Sequence, residues 1–169
     1  MMKTKNILRK SLLIPLLAGF VLFGSCDKEE EPEINQQIDK DLLLQLVNSY
    51  RTAGCNCGSE GYFGPTTTVV WNNLLELTAQ DHSEDMFKNS FFNHTGNDGS
   101  NPGVRLGRRG YDWQTYGENI AMGYKTEQAV IEGWINSPGH CKNIMNPNFK
   151  EMGVFRSGDY WTQVFGTRR

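Results

Sequence analysis

Three histidines punctuate the sequence, and two of them stand where a side chain can do chemistry. His94 follows Phe91-Phe92-Asn93 and precedes a Gly-, Asn- and Asp-rich run over residues 95–100. The aromatics anchor that segment in a core and the run after it is loop, so the imidazole is offered where a buried anchor meets an open loop. His140 lies in Ser137-Pro138-Gly139-His140-Cys141. Proline fixes φ and glycine permits a sharp turn, so a helix is expected to stop at Pro138 and deliver His140 just past its end. Glu118 sits in Tyr116-Gly117-Glu118-Asn119, beside a glycine that lets backbone approach closely. Two imidazoles and one carboxylate could hold a divalent ion with an open position, or act as a general base and its orienter. A buried polar network that only holds loops would use the same residues. His82 is different: it shares an apolar stripe with Leu75, Ala79 and Met86 and reads as a packed helical histidine.

The elements that must position these residues follow from periodicity. Residues 34–50 read as a helix, with Ile38, Leu42, Leu43, Leu46, Val47 and Tyr50 on one face and Gly54 at its end. A Gly-, Ser- and Thr-rich loop follows over residues 55–68. A second helix is expected over residues 73–89, opened by a capping box of Asn73 and Glu76. Residues 104–109 suit a short helix, and Ile120 and Met122 suit a short strand entered at Glu118. Thr126 caps a third long helix with Val130, Ile131, Trp134 and Ile135 buried. Two strands over residues 152–155 and 160–165 form a hairpin through Arg156-Ser157-Gly158-Asp159. No phosphate-binding glycine loop, nucleophile elbow or His-Glu-x-x-His motif occurs. Asp98 could offer oxygen to a calcium ion, but it lacks the spaced carboxylates of an EF-hand loop.

The first 26 residues read as a targeting segment. Lys3, Lys5, Arg9 and Lys10 precede an apolar run over residues 11–23, broken by Pro15 and Gly19, and Gly24-Ser25-Cys26 closes it. The run is shorter than the roughly 20 apolar residues of a membrane span. Its ending resembles a bacterial lipobox, with Phe23 in place of the usual Leu. Cys26 is therefore expected to be acylated and to anchor the chain in a membrane. The acidic stretch from Asp27 to Glu33 is a solvated tether, similar to the signal that follows the acylated cysteine in surface-displayed lipoproteins. The expected organisation is residues 1–26 as leader and anchor, 27–37 as tether and 38–169 as one domain. Beyond Cys26 the chain keeps 13 basic against 19 acidic residues, a net charge of −6, which argues against nucleic acid as a partner. Three further cysteines, Cys55, Cys57 and Cys141, imply one disulfide and one spare thiol in an exported chain.

Four motifs occur in order: Phe91-Phe92-Asn93-His94, Gly117-Glu118-Asn119-Ile120-Ala121, Trp134-Ile135-Asn136-Ser137-Pro138-Gly139-His140 and Tyr160-Trp161-Thr162-Gln163-Val164-Phe165. Together they resemble the CAP superfamily, or SCP domain, of cysteine-rich secretory proteins, antigen 5 and pathogenesis-related protein 1, in its bacterial branch. The resemblance covers residues 42–165. It implies an α+β fold, a three-layer α-β-α sandwich with a central, mainly antiparallel sheet. It also implies a cleft lined by His94, Glu118 and His140, with Ser137 where many eukaryotic members carry a Glu; Glu132 is not its substitute. Similar sequences imply a Cys57–Cys141 disulfide, and a Cys55–Cys141 pairing stays open beside it. Two functions follow from the resemblance. The first is a lipid-anchored module of the bacterial envelope, on the outer membrane and exposed at the surface, that binds a lipid, sterol-like, glycan or peptidoglycan ligand without catalysis. The second is a zinc-dependent, peptidase-like hydrolase in which His94 and His140 hold the ion and Glu118 is ligand or base.

Overall fold

A computed structural model describes residues 37–169. The leader, Cys26 and all of the tether before Gln37 lie outside the described residues. Among those described, the chain forms five α-helices and six strands. Helix α1 (Lys40–Ala53) is capped by Asp39, whose side chain accepts from the Leu42 N–H, and stops at Gly54, whose φ of 83° suits only glycine. Strands β1 (Cys55–Asn56) and β2 (Tyr62–Phe63) form a small hairpin around a 3-10 turn (Gly58–Glu60).

The main sheet is four-stranded, in the order β3 (Val70–Trp71), β5 (Glu151–Ser157), β6 (Tyr160–Arg168), β4 (Trp113–Met122). β3 runs parallel to β5 and the other neighbours are antiparallel, as expected of the sandwich. Side chains alternate across the strands, so each strand supplies both faces. Met152, Val154, Trp161 and Phe165 join Leu43 and Val47 of α1, Val130, Ile131 and Trp134 of α4 (Glu127–Ile135) and Ile144 of α5 (Pro138–Met145). On the other face Phe155 and Val164 meet Leu75 and Ala79 of α2 (Asn73–Asn89) and Leu106 of α3 (Pro102–Arg108). Gly153 allows α2 to lie on β5: a Cβ there would stand 2.2 Å from the Glu76 nitrogen.

Two expectations about helix starts are corrected. The cap of α2 is Asn72, not Asn73; its side chain accepts from the Leu74 and Leu75 N–H groups. Glu76 instead pairs with Lys40 and accepts from Trp71 Nε1. Pro138 ends nothing: it is the first residue of α5, a position where its missing N–H costs no hydrogen bond. Gly139 keeps a negative φ inside that helix, so there is no sharp turn. His140 thus rides in the first turn of a helix rather than on a corner after one.

The Cys57–Cys141 disulfide is present and leaves Cys55 free. It ties α5 to the segment after α1 across 84 residues of sequence. Closing a loop of that size removes roughly 3–5 kcal/mol of freedom from the unfolded chain. Cys141→Ser, which removes every cross-link between α5 and the segment after α1, is expected to lower unfolding free energy by that amount in a denaturant titration. A loss below about 1 kcal/mol would contradict it.

Candidate functional site

The sheet ends at β4, and the site is built across that edge. Neighbouring residues on a strand point to opposite faces, so Glu118 and Asn119 reach into different layers. Glu118 faces the α2–α3 side. Its Oε1 lies 2.8 Å from His94 Nδ1 and its Oε2 accepts from Arg105 Nη2 at 2.7 Å. The carboxylate thus accepts from the guanidinium and from the ring, which fixes the orientation of the imidazole. Arg105 also donates to the carbonyls of Ser100 and His94, at 2.9 and 3.0 Å. One cation therefore holds both the backbone of His94 and the carboxylate that orients its ring. Arg105 was not legible as a site residue; the signal available was a strand glutamate that needs a counter-charge.

Asn119 faces the α4–α5 side and is fully buried. Its side-chain amide donates to the His140 carbonyl at 3.2 Å and to Gln163 Oε1 at 3.0 Å, and its oxygen accepts from Asn143 at 2.9 Å. Asn143 in turn reaches the Glu118 carbonyl. Trp134 Nε1 donates to the Ile120 carbonyl. Side chains thus take the outward carbonyls of β4 at two positions and discourage pairing with another strand. Glu118 and Asn119, adjacent in sequence, position His94 and His140 from opposite layers.

Between the two imidazoles lies a cavity of about 470 Å³. Its apolar wall is Phe92, Ile120, Ala121, Met122, Tyr124 and Trp134, and its polar groups come from Asn93, His94, Ser137 and His140. Glu118 is not on that wall: its side chain is 2% exposed, behind the ring it holds. His94, by contrast, is 52% exposed through its side chain. The structure brings His94, Ser137 and His140 to one cavity and places Glu118 beneath it.

The four residues do not fit a three-ligand ion. Both Glu118 oxygens are taken, and a dication beside them would meet the Arg105 charge. Among the described residues the one close group of three ligand-type side chains is Cys55, Cys57 and Cys141. His94 and His140 are the two ligand-type side chains that line the cavity. Ser137 has no hydrogen bond to either ring, and burial pushes the Cys55 thiol up, away from the thiolate. Asp98 accepts from the Ser100 side chain, pairs with Arg108 and accepts from the Ser100 N–H, which together hold its carboxyl far below the usual range.

His82 is buried on α2, with Nε2 2.9 Å from the Asn93 carbonyl and 3.8 Å from Glu118 Oε1. Burial pushes its pKa down, partly opposed by Glu118. Burial, and then the neighbouring His94, push His140 down as well. Both rings are neutral at pH 7. Because the folded values lie below the unfolded value of about 6.5, the unfolded chain takes up protons first as pH falls. Stability is therefore expected to be level above about pH 7 and to fall below about 6.5, by up to about 1.4 kcal/mol per pH unit for His82. Denaturant midpoints across that range check this. His82→Gln should flatten the fall, and an unchanged slope would contradict it.

Comparison with known proteins places the chain in a family and supports its fold. The model of the cysteine-rich secretory protein family, CAP, matches residues 44–165. The uncharacterized protein YkwD of Bacillus subtilis (strain 168) is 42% identical over 96 residues, 56% of this chain and 37% of that one. The chain thus spans well under half the length of that relative. An extracellular protein containing a SCP domain from Bacillus anthracis str. Ames superposes with a TM-score of 0.66 at 30% identity, over 76% of this chain and 40% of that one. An outer surface protein from Borrelia burgdorferi shares the fold, with a TM-score of 0.65 at 20% identity over 76% of this chain and 92% of that one.

Proposed function

The chain belongs to the cysteine-rich secretory protein (CAP) family, and on that premise we propose that it is an envelope-anchored binding protein whose cavity takes a lipid-class amphiphile. The observation that carries this is the cavity's make-up: about 470 Å³, an apolar and aromatic wall, and two histidines positioned from opposite layers, His94 through its ring and His140 through its carbonyl. That volume lies within the roughly 300–1,000 Å³ usual for small-ligand sites, where apolar surface supplies affinity and a few polar groups set orientation. Phe92 and Met122, 47% and 52% exposed, extend the apolar wall to solvent and suit an acyl or sterol-like body. His94 and His140 suit a polar head that accepts or donates one hydrogen bond to each.

In this reading Glu118 positions His94 and is not itself a base. A general base must reach the proton it removes. This carboxylate is spent on His94 and Arg105 and faces away from the cavity. The anchor in this reading is acylated Cys26 in the outer membrane, and the acidic tether sets the domain off the surface. Among the described residues no helix is long and apolar enough to cross a membrane.

The reading is tested on protein purified from a bacterial envelope. Organic extraction and mass spectrometry should recover a lipid in near-equimolar amount from the unaltered chain. The His94→Ala, His140→Ala double variant should carry several-fold less. Equal lipid on both, or a glycan or peptidoglycan fragment in its place, would count against it.

A further inference from the structure

A second cluster of reactive groups lies at the foot of α5, apart from the cavity. Cys57 and Cys141 are disulfide-bonded and buried, 1% and 0% exposed. The third sulfur, on half-buried Cys55, lies 3.8 Å from Cys141 Sγ. All three sulfurs fall within 4.8 Å of one another. Cys55 and Cys57 flank one residue at the end of a two-residue strand, so either can reach the same partner. The surrounding corner is held by a Lys142–Glu60 ion pair at 2.8 Å and by Gly58, where a Cβ would stand 3.2 Å from Pro138.

We propose that Cys55, Cys57 and Cys141 form a thiol–disulfide exchange site, in which the bond that anchors α5 moves between two partners. The Cys55 thiol gives its proton to solvent and its thiolate attacks Cys141 Sγ. The Cys55–Cys141 bond forms as the Cys57–Cys141 bond breaks. Cys57 leaves as a thiolate and takes up a proton. One disulfide and one thiol stand on each side, so no oxidant or reductant is consumed. The three sulfurs form a bent array, so in-line attack requires Cys55 to turn about its Cα–Cβ bond.

Three features set the rate and the consequence. Cys55 alone of the three reaches solvent, so the attacking proton can leave. Burial pushes that thiol up, which makes exchange slow at neutral pH and faster as pH rises. Moving the bond from Cys57 to Cys55 shifts the anchor of α5 by two residues toward α1. His140 precedes Cys141 directly, and its carbonyl is held by Asn119. Exchange therefore acts on the cavity's second histidine through the helix that carries it.

The test uses the chain without added thiol, held at about pH 6 or about pH 9 and then quenched in acid. The free thiol is labelled with N-ethylmaleimide. Both candidates fall on one tryptic peptide, residues 52–88, so fragment ions must locate the label. The label is expected on Cys55 at the lower pH, with a share moving to Cys57 at the higher pH until the ratio is constant. Label confined to Cys55 after prolonged incubation at the higher pH overturns the proposal. A second arm uses Cys57→Ser. It should oxidise in air to a Cys55–Cys141 disulfide, so that neither of these two cysteines reacts with dithionitrobenzoate once Cys26 is acylated or replaced by serine. Two reactive thiols in a folded Cys57→Ser protein overturn the proposal too, and if that variant does not fold the labelling of the unaltered chain decides.

Discussion

Arg105→Met is expected to cost about 3–5 kcal/mol of unfolding free energy, because it leaves the Glu118 carboxylate buried without its counter-charge. Both side chains of this pair are nearly inaccessible, at 5% and 2% exposed. The guanidinium also satisfies the carbonyls of Ser100 and His94, which would lose their donor together. Taking one partner from a buried pair costs more than the pair contributes, since the remaining charge has no water to fall back on. The companion Arg105→Met, Glu118→Gln should therefore be more stable than Arg105→Met alone. Chemical denaturation of the single and double variants measures the coupling. A loss below about 1 kcal/mol for Arg105→Met, or a double variant no better than the single, would show that the pair does not organise the site.

Arg51→Met is the second large effect, again about 3–5 kcal/mol, and it acts through carbonyls rather than a carboxylate. Arg51 is fully buried at the end of α1. Its guanidinium donates to the carbonyls of Thr67, Ile144, Asn146 and Phe149, at 2.6 to 3.1 Å. Burial pushes its pKa down to about 10, so it remains charged at neutral pH. The three later carbonyls belong to the end of α5 and the segment leading to β5, where the chain has no regular partner of its own. Methionine fills the volume and offers no donor, so these acceptors are left dry. Hydrogen exchange should show faster opening of residues 144–150 before the rest of the domain. Uniform destabilisation, with no local change there, would contradict a role specific to that segment.

What could be read from residue patterns is what depends on near neighbours. The stripe of α1, the span of α2, the Thr126 cap and the β5–β6 hairpin all follow from periodicity, caps and turn residues. The Cys57–Cys141 bond followed from likeness to related sequences, not from spacing. What escaped depends on partners far along the chain. Arg51 and Arg105 look like ordinary helical arginines until distant carbonyls and Glu118 close around them. β4 runs the length of Trp113–Met122, where only its last residues alternate clearly, because its polar positions are satisfied by α3, α5 and the sheet. Pro138 can stop a helix or start one, and only the packing of α5 decides which. His94 and His140 were recognisable as a pair; that consecutive residues of one strand hold them, Glu118 from one face and Asn119 from the other, was not.

The central claim is that this arrangement makes a ligand site of the cavity at the sheet edge. Titration with cis-parinaric acid, a fatty acid whose fluorescence rises in apolar surroundings, tests it most directly. Saturable one-to-one binding by the unaltered chain is expected. Affinity should fall about tenfold or more in the His94→Ala, His140→Ala variant, as two lost hydrogen bonds to a polar head contribute about 1 kcal/mol each. No saturable binding, or equal affinity in both proteins, would contradict the account.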